Sequence, residues 1–142
     1  MFWEKNMNYD IHKIGGVLIK DRKLLVSRSK NKNVFVAPGG KVESGEDAFF
    51  ALQRELKEEF EIEIKKENLQ KFGTFYAQAS GDEDKKLKMD VFIVKTWRGE
   101  IVPRSEIEEI RWIDSEMATN TRVGSIFKHE VIPKLKAQKL IN

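Results

Sequence analysis

The sequence predicts a mixed α/β (α+β) fold, one domain built on a mixed central sheet. Three observations predict it. Strand patterns flank one strongly amphipathic helix on both sides, and a second helical pattern closes the chain. A glycine-rich turn, Pro38-Gly39-Gly40, delivers the first strands to that helix. The 142 residues suffice for a compact domain with a real core, and no repeat, low-complexity segment or linker divides them. Residues 1–142 therefore read as one domain, with 1–9 as a loose N-terminal tail whose Phe2 and Trp3 either pack on the domain or stay free.

Ile11 to Lys20 (IHKIGGVLIK) reads as a strand, with Gly15-Gly16 marking a bulge or a close backbone approach. His12 is a lone histidine, better read as surface or core packing than as catalysis. A polar turn over Lys20–Lys23 leads to a second strand, Lys23 to Ser29, giving a hairpin. Lys30–Asn33 is a loop, and Val34–Ala37 a short strand ahead of the glycine turn. Ser44 is a candidate N-cap, with Glu46 and Asp47 in the first turn of the helix. Beyond the helix, alternation suggests a short strand over Glu61–Ile64. Leu69–Ala79 and Leu87–Trp97 read as strands joined by an exposed polar connection, Ser80–Lys86. Ile107–Asp114 is a further strand with Trp112 packed. Ser125–Gln138 reads as a helix with Ile126, Phe127, Val131, Ile132 and Leu135 on its apolar face and a kink at Pro133. Its lysines, Lys128, Lys134, Lys136 and the nearby Lys139, read as a solvated face.

The helix over residues 46–60 carries the chemistry. On a wheel of roughly 100° per residue, Ala48, Phe49, Leu52, Leu56 and Phe60 form the core stripe. Glu59 falls inside that stripe, and Glu55 at its edge. An unpaired buried charge costs several kcal/mol or changes its protonation, so a helix needing only a core would not place acids there. Glu55, Glu58 and Glu59 are spaced i, i+3, i+4 and converge on one patch. Small neighbours, Ala48 and Ala51, leave room beside them. Converging carboxylates repel one another unless a cation sits among them, and hard divalent ions such as Mg²⁺ or Mn²⁺ suit oxygen ligands. Ion pairs at i, i+4, Arg54 with Glu58 and Lys57 with Glu61, account for part of the pattern, but not for Glu59.

The stretch from Pro38 to Ile62 resembles the Nudix box, G-x5-E-x7-R-E-U-x-E-E-x-G-U with U a bulky aliphatic residue. Gly40, Glu46, Arg54, Glu55, Leu56, Glu58, Glu59 and Ile62 match at the required spacing, and Glu61 stands where the box has its last glycine. The box spans about a sixth of the chain, and the order of elements is similar to the Nudix α/β/α sandwich. Glu61 bears on the helix exit, where a non-glycine residue in the left-handed conformation costs about 1–2 kcal/mol. The resemblance implies a Mg²⁺-dependent hydrolase (Mn²⁺ a substitute) that cleaves the diphosphate linkage of a nucleoside diphosphate derivative, an oxidised nucleoside triphosphate in MutT-like members. It implies Glu58 and Glu59 as principal metal ligands with the Gly39 carbonyl beside them. Glu55 is implied as ligand or water-activating base, Arg54 as the group that orients a neighbouring glutamate, Glu46 as support for the loop, and Lys41 as a phosphate contact. Family members recruit a further acid outside the box. Glu106 matches it by its distance to Trp112, with Glu109 as fallback. Arg28 is a substrate candidate whose simpler account is a cross-strand ion pair. Phe35, Phe75, Tyr76 and Asn120 are candidates for base recognition, although aromatics on strands are more often core.

Composition excludes several classes. Without cysteine there is no disulfide, thiol catalysis or Cys-ligated zinc, which fits a cytoplasmic setting. No apolar run approaches a membrane span and no secretory signal is visible. A net charge of +3 is too mild to argue for nucleic acid as a partner. The expected partner is a small nucleotide; a homodimer is left open. The rival reading is a non-hydrolytic nucleotide- or RNA-binding module on the same fold. The retained Arg54, Glu55, Glu58 and Glu59 argue against it.

Overall fold

The computed structural model describes residues 9–79 and 82–142; the proposed tail, with Phe2 and Trp3, lies outside them apart from Tyr9. The strands are β1 (Ile11–Val17), β2 (Ile19–Lys20), β3 (Lys23–Ser29), β4 (Gly39–Lys41), β5 (Leu69–Ala79), β6 (Asp82–Val94) and β7 (Ile107–Ile113). The helices are α1 (Ala48–Phe60), α2 (Ser115–Thr119) and α3 (Ile132–Ala137). A four-stranded sheet has the order β4-β1-β6-β5, and a three-stranded sheet the order β2-β3-β7. β1 runs parallel to β6 while every other pairing is antiparallel, so the central sheet is mixed as expected. Leu18 passes the chain from one sheet to the other, its carbonyl accepting from the Leu25 N–H at 2.9 Å.

Strand alternation sends side chains to two cores. Ile14, Leu18 and Leu25 pack with Leu52, Leu56 and Phe60 of α1. Val17, Leu24 and Val26 pack on the other side with Phe127, Val131 and Leu135. Full burial of a Leu or Phe side chain contributes about 1.5–3 kcal/mol, so the stripe of α1 anchors the helix firmly. Gly15 and Gly16 mark close approach by side chains, not by backbone. A Cβ at Gly15 would lie 3.2 Å from Phe127, and one at Gly16 3.2 Å from Leu52. β1 itself pairs without a bulge.

Several boundaries differ from the sequence reading. Val34–Ala37 forms only isolated bridges, Val36 to Ser27 and Phe35 to Val123, and the short strand at Glu61–Ile64 reduces to one bridge from Glu63 to Arg98. β6 begins at Asp82, so most of the supposed polar connection is strand. Backbone pairing with β5 does not require apolar side chains; β6 also ends at Val94, before Trp97. Asp47, not Ser44, caps α1: its carboxylate accepts from the Phe50 N–H at 2.8 Å, and no acid lies in the first turn. The turn at Gly45, with φ of 84°, keeps Ser44 outside the helix. Before α3 the helix widens into a π-type turn over Phe127–Val131, and Pro133 falls in the first turn of α3, where its missing N–H costs nothing. Among the described residues no helix is long and apolar enough to cross a membrane.

Glu61 keeps the left-handed exit that glycine would favour, with φ of 58° and ψ of 29°. Its carboxylate lies 3.0 Å from Arg104, an exposed pair worth little. Glu61→Gly is therefore expected to stabilise the protein, by about 1 kcal/mol, in urea denaturation; a lower midpoint would contradict this.

A buried polar cluster sits on the α1 side of the sheet. Asp90, 6% exposed, lies 2.6 Å from His12 Nε2 and accepts from Lys71 Nζ at 2.8 Å and the Thr74 hydroxyl at 2.6 Å. His12 is thus partly buried and bonded to a buried carboxylate. Burial would push Asp90 up, but Lys71, Thr74 and His12 outweigh it and hold the carboxyl at about 2. Its folded pKa is below the unfolded one, so the stabilisation is present above the unfolded value of 3.8 and is lost as pH falls through about 2. Asp90→Asn should cost about 2 kcal/mol near neutrality, and the gap to the unaltered protein should roughly halve by about pH 3. A gap unchanged across that range, measured by chemical denaturation, would remove Asp90's charge from the account.

Candidate active site

The glycine turn and α1 are brought together by β1. Gly39, Gly40 and Lys41 pair with Gly15, Ile14 and Lys13. Gly39 has φ of 140°, and a Cβ there would stand 2.1 Å from the Ile14 carbonyl oxygen. At Gly40 a Cβ would stand 2.6 Å from Glu55 Oε1. Two glycines in succession let the strand lie against β1 on one side and the glutamates of α1 on the other.

Arg54 is the hub of the acidic patch. Its Nε and Nη2 donate to Glu46 at 2.8 and 2.9 Å, its Nη1 donates to Glu55 at 2.9 Å, and Nη2 also reaches the Lys41 carbonyl at 3.2 Å. Glu58 Oε2 lies 3.6 Å from Nη1. The Arg54 bond, and then the Glu43 N–H, hold Glu46 down at about 2. Burial pushes Glu55 up against the pull of Arg54. Glu59 is pushed furthest, to about 8, by burial first; the Gly39 amide opposes this, while the charges of Glu55 and Glu58 add to it. The Gly39 N–H donates to Glu59 Oε1 at 3.2 Å. Three glutamates, Glu46, Glu55 and Glu58, therefore gather on one arginine, and a fourth beside them, Glu59, resists ionising. That donor set, all carboxylate and short of positive charge, fits a hard divalent cation. Among the described residues no three acidic or histidine side chains already close around a single point. The physical reason is that Glu55 is turned to Arg54 and Glu59 to the Gly39 amide, so waters and substrate oxygens would have to complete the shell.

The remaining candidates are dispersed. Lys41 is exposed on β4. Glu106 is exposed, and its loop is moored to α1 two residues earlier, where the Arg104 N–H donates to the Glu59 carbonyl at 2.8 Å. Arg28 takes the simpler of its two accounts: it bonds Glu108 at 2.9 Å, Glu109 at 3.4 Å and the Lys32 carbonyl at 3.0 Å. Glu109 is engaged further by Arg111 at 2.8 Å, so the fallback acid is spent on ion pairs. Phe75 is 6% and Phe35 5% exposed; both lie in the core, and Arg111 covers the Phe35 ring at 4.5 Å. The Phe75 ring packs in the core that holds Leu135 of α3, with Lys134 Nζ 5.5 Å from its centroid. Tyr76 is 44% exposed. Asn120 is exposed at the end of α2, two residues before the Arg122 carbonyl that accepts from the Phe35 N–H. Lys13, half-buried opposite Lys41, joins these residues without having been a candidate from the motif. Its signal is a lysine in line with Ile11, Gly15 and Val17, on a strand face otherwise without a polar side chain.

A family model described as the NUDIX domain matches residues 12–135. The chain is 28% identical over 129 residues to an 8-oxo-dGTP diphosphatase of Buchnera aphidicola (from Acyrthosiphon pisum), covering 84% of this chain and 98% of the relative. It is 32% identical over 124 residues to an ADP-ribose pyrophosphatase of Methanocaldococcus jannaschii, covering 85% and 69%. Among solved structures, MutT from a study of Aliivibrio salmonicida and Vibrio cholerae aligns with a TM-score of 0.69 at 26% identity, over 90% of this chain and 98% of that one. The E. coli ORF135 protein aligns at 0.73 and 23%, over 91% and 92%, a likeness of fold.

Proposed function

Since the chain belongs to the Nudix family, we propose that it is a divalent-metal-dependent hydrolase of the diphosphate linkage in a nucleoside diphosphate derivative, with an oxidised nucleoside triphosphate, cleaved to monophosphate and pyrophosphate, as the leading substrate. The observation that carries this reading is Glu59, half-buried between Gly39 and two further glutamates with a single arginine to balance them. The relatives that act on 8-oxo-dGTP and ADP-ribose support a nucleotide diphosphate bond as the target.

The roles proposed here are those the family resemblance implies. Glu58, Glu59 and the Gly39 carbonyl would hold Mg²⁺ or Mn²⁺, which when bound neutralises phosphate oxygens and makes a coordinated water more acidic. Glu55 accepts the proton of the attacking water; burial, by raising its pKa, suits it to that task. The water oxygen bonds to one phosphorus as the bridging P–O bond breaks, and the second phosphate departs with the bridging oxygen. Arg54 holds Glu55 in place while its other edge is tied to Glu46. Lys41 meets a phosphate oxygen. Glu106 is the second candidate for proton acceptance from outside α1, and Asn120 the candidate for the base edge.

The test is a panel of nucleotides assayed with Mg²⁺ and with both products identified, because the products locate the attacked phosphorus. Glu58→Gln is run beside the unaltered chain. Turnover lost in the variant is the expected result; equal turnover would refute the metal role.

A further inference from the structure

Lys13 in β1 pairs with Lys41 in β4 and with Met89 in β6, and Met89 pairs with Phe75 in β5. Paired residues share a face, so these four form one row across the sheet. It is the face away from α1. A Cβ on Gly15, which shares Lys13's side of β1, would look at Phe127 and the Met89 sulfur, whereas one on Gly16 would look at Leu52 of α1. The row therefore runs from a cationic edge beside the glycine turn to apolar surface formed by half-buried Met89 and Leu87.

The lysine pair has no internal reason to exist. Burial and then the charge of Lys41 both disfavour the charged form of Lys13. Among the described residues no carboxylate pairs with Lys13 to offset them. Two cations side by side, one half out of water, are a cost unless an anion arrives between them.

We propose that Lys13 is a specificity-determining residue that binds the phosphate nearest the nucleoside. This rests on the reading that the chain takes a nucleotide. In that reading the attacked diphosphate lies at Gly39 and Glu59, on the open edge formed by β4, where it can pass round to the face of Lys41 and Lys13, and a base needs the apolar surface of Met89 and Leu87 on that face. The anionic group between those two ends is the nucleoside-proximal phosphate, and Lys13 stands at that place in the row. The assignment separates nucleotides from other diphosphates: substrates with no phosphate attached to a nucleoside gain nothing from Lys13.

The test is calorimetric binding of AMP and dGMP, with adenosine and deoxyguanosine as uncharged controls, in chelator so that no turnover intervenes. Lys13→Met should weaken monophosphate binding at least about tenfold, the loss of one charge-assisted bond. Nucleoside binding should stay within about twofold, and Lys13→Arg should restore most of the loss. In turnover, KM should rise with kcat little changed. Equal monophosphate affinity in the variant, equal loss for nucleoside and monophosphate, or no preference of the unaltered protein for monophosphate over nucleoside would each overturn the proposal. Lys13→Gln serves if the methionine variant does not fold. The nucleotide panel reads the underlying function separately: turnover by the unaltered chain with Lys13→Met unaffected removes only Lys13, whereas no turnover of any nucleotide removes the hydrolase reading.

Discussion

Glu59→Gln is expected to lower kcat by about a thousandfold, the scale on which removing a principal charge-stabilising group acts, while leaving the protein at least as stable as before. The two halves have one cause. Glu59 is held at about 8 because burial, and then the neighbouring Glu55 and Glu58, disfavour its charge. For a carboxyl raised in the fold, stability is greatest below the unfolded pKa of 4.5 and declines as pH rises toward 8, since the native state holds the proton longer. Glutamine resembles the protonated form, keeps an oxygen for the Gly39 N–H, and never pays that cost. The melting temperature of the variant should therefore equal the parent's below about pH 4.5 and exceed it by a few degrees at pH 8. A cation that needs the carboxylate must displace its proton, so adding Mg²⁺ near pH 7 should release about one proton. Titration in two buffers of different ionisation enthalpy reads this directly, and the release should vanish in the variant. Turnover within threefold of the parent, or metal binding with no buffer dependence, would take Glu59 out of the metal site.

Gly39→Ala is expected to be the most damaging conservative change in the described chain, costing more than about 3 kcal/mol. Two penalties act together. The backbone there has φ of 140°, which side chains other than glycine rarely adopt, and a Cβ would sit 2.1 Å from the Ile14 carbonyl oxygen. That oxygen is backbone in the middle of β1, so relief requires parting β4 from β1, and with it the N–H that contacts Glu59. Two other glycines serve as controls. Gly45→Ala, with φ of 84° and no atom within 4 Å, should cost only the conformational strain of about 1–2 kcal/mol, and Gly124→Ala, whose nearest neighbour is Val36 at 3.7 Å, little at all. Urea midpoints falling in the order Gly124, Gly45, Gly39 are the expected result. Gly39→Ala as stable as Gly124→Ala would mean the turn is not built as described.

Local signals were read well and non-local ones unevenly. The limits of β5 and nearly those of β7 follow from alternation and turn residues, and the buried Leu52, Leu56 and Phe60 follow from helical period. The cap was misplaced because Ser44 and Asp47 are both good capping residues. The choice between them lay in how Gly45 turns the chain and in Glu46 being taken by Arg54. A strand pattern does not say which face a helix covers, so it leaves Phe75 and Phe35 open as binding groups or core; the structure buries both. The same ignorance hid Lys13.

Periodicity alone determined that three carboxylates share a patch of one helix and that one of them intrudes on its apolar stripe. Spacing along a helix is set within a few residues, so no fold is needed to deduce it. Only the tertiary structure decided what meets that patch: the Gly39 amide on Glu59, the Glu46–Arg54–Glu55 chain, Arg28 given over to Glu108 and Glu109, and Lys13 set against Lys41. Those depend on which strands lie side by side and on which face each residue falls, and strand order comes from packing the whole chain at once.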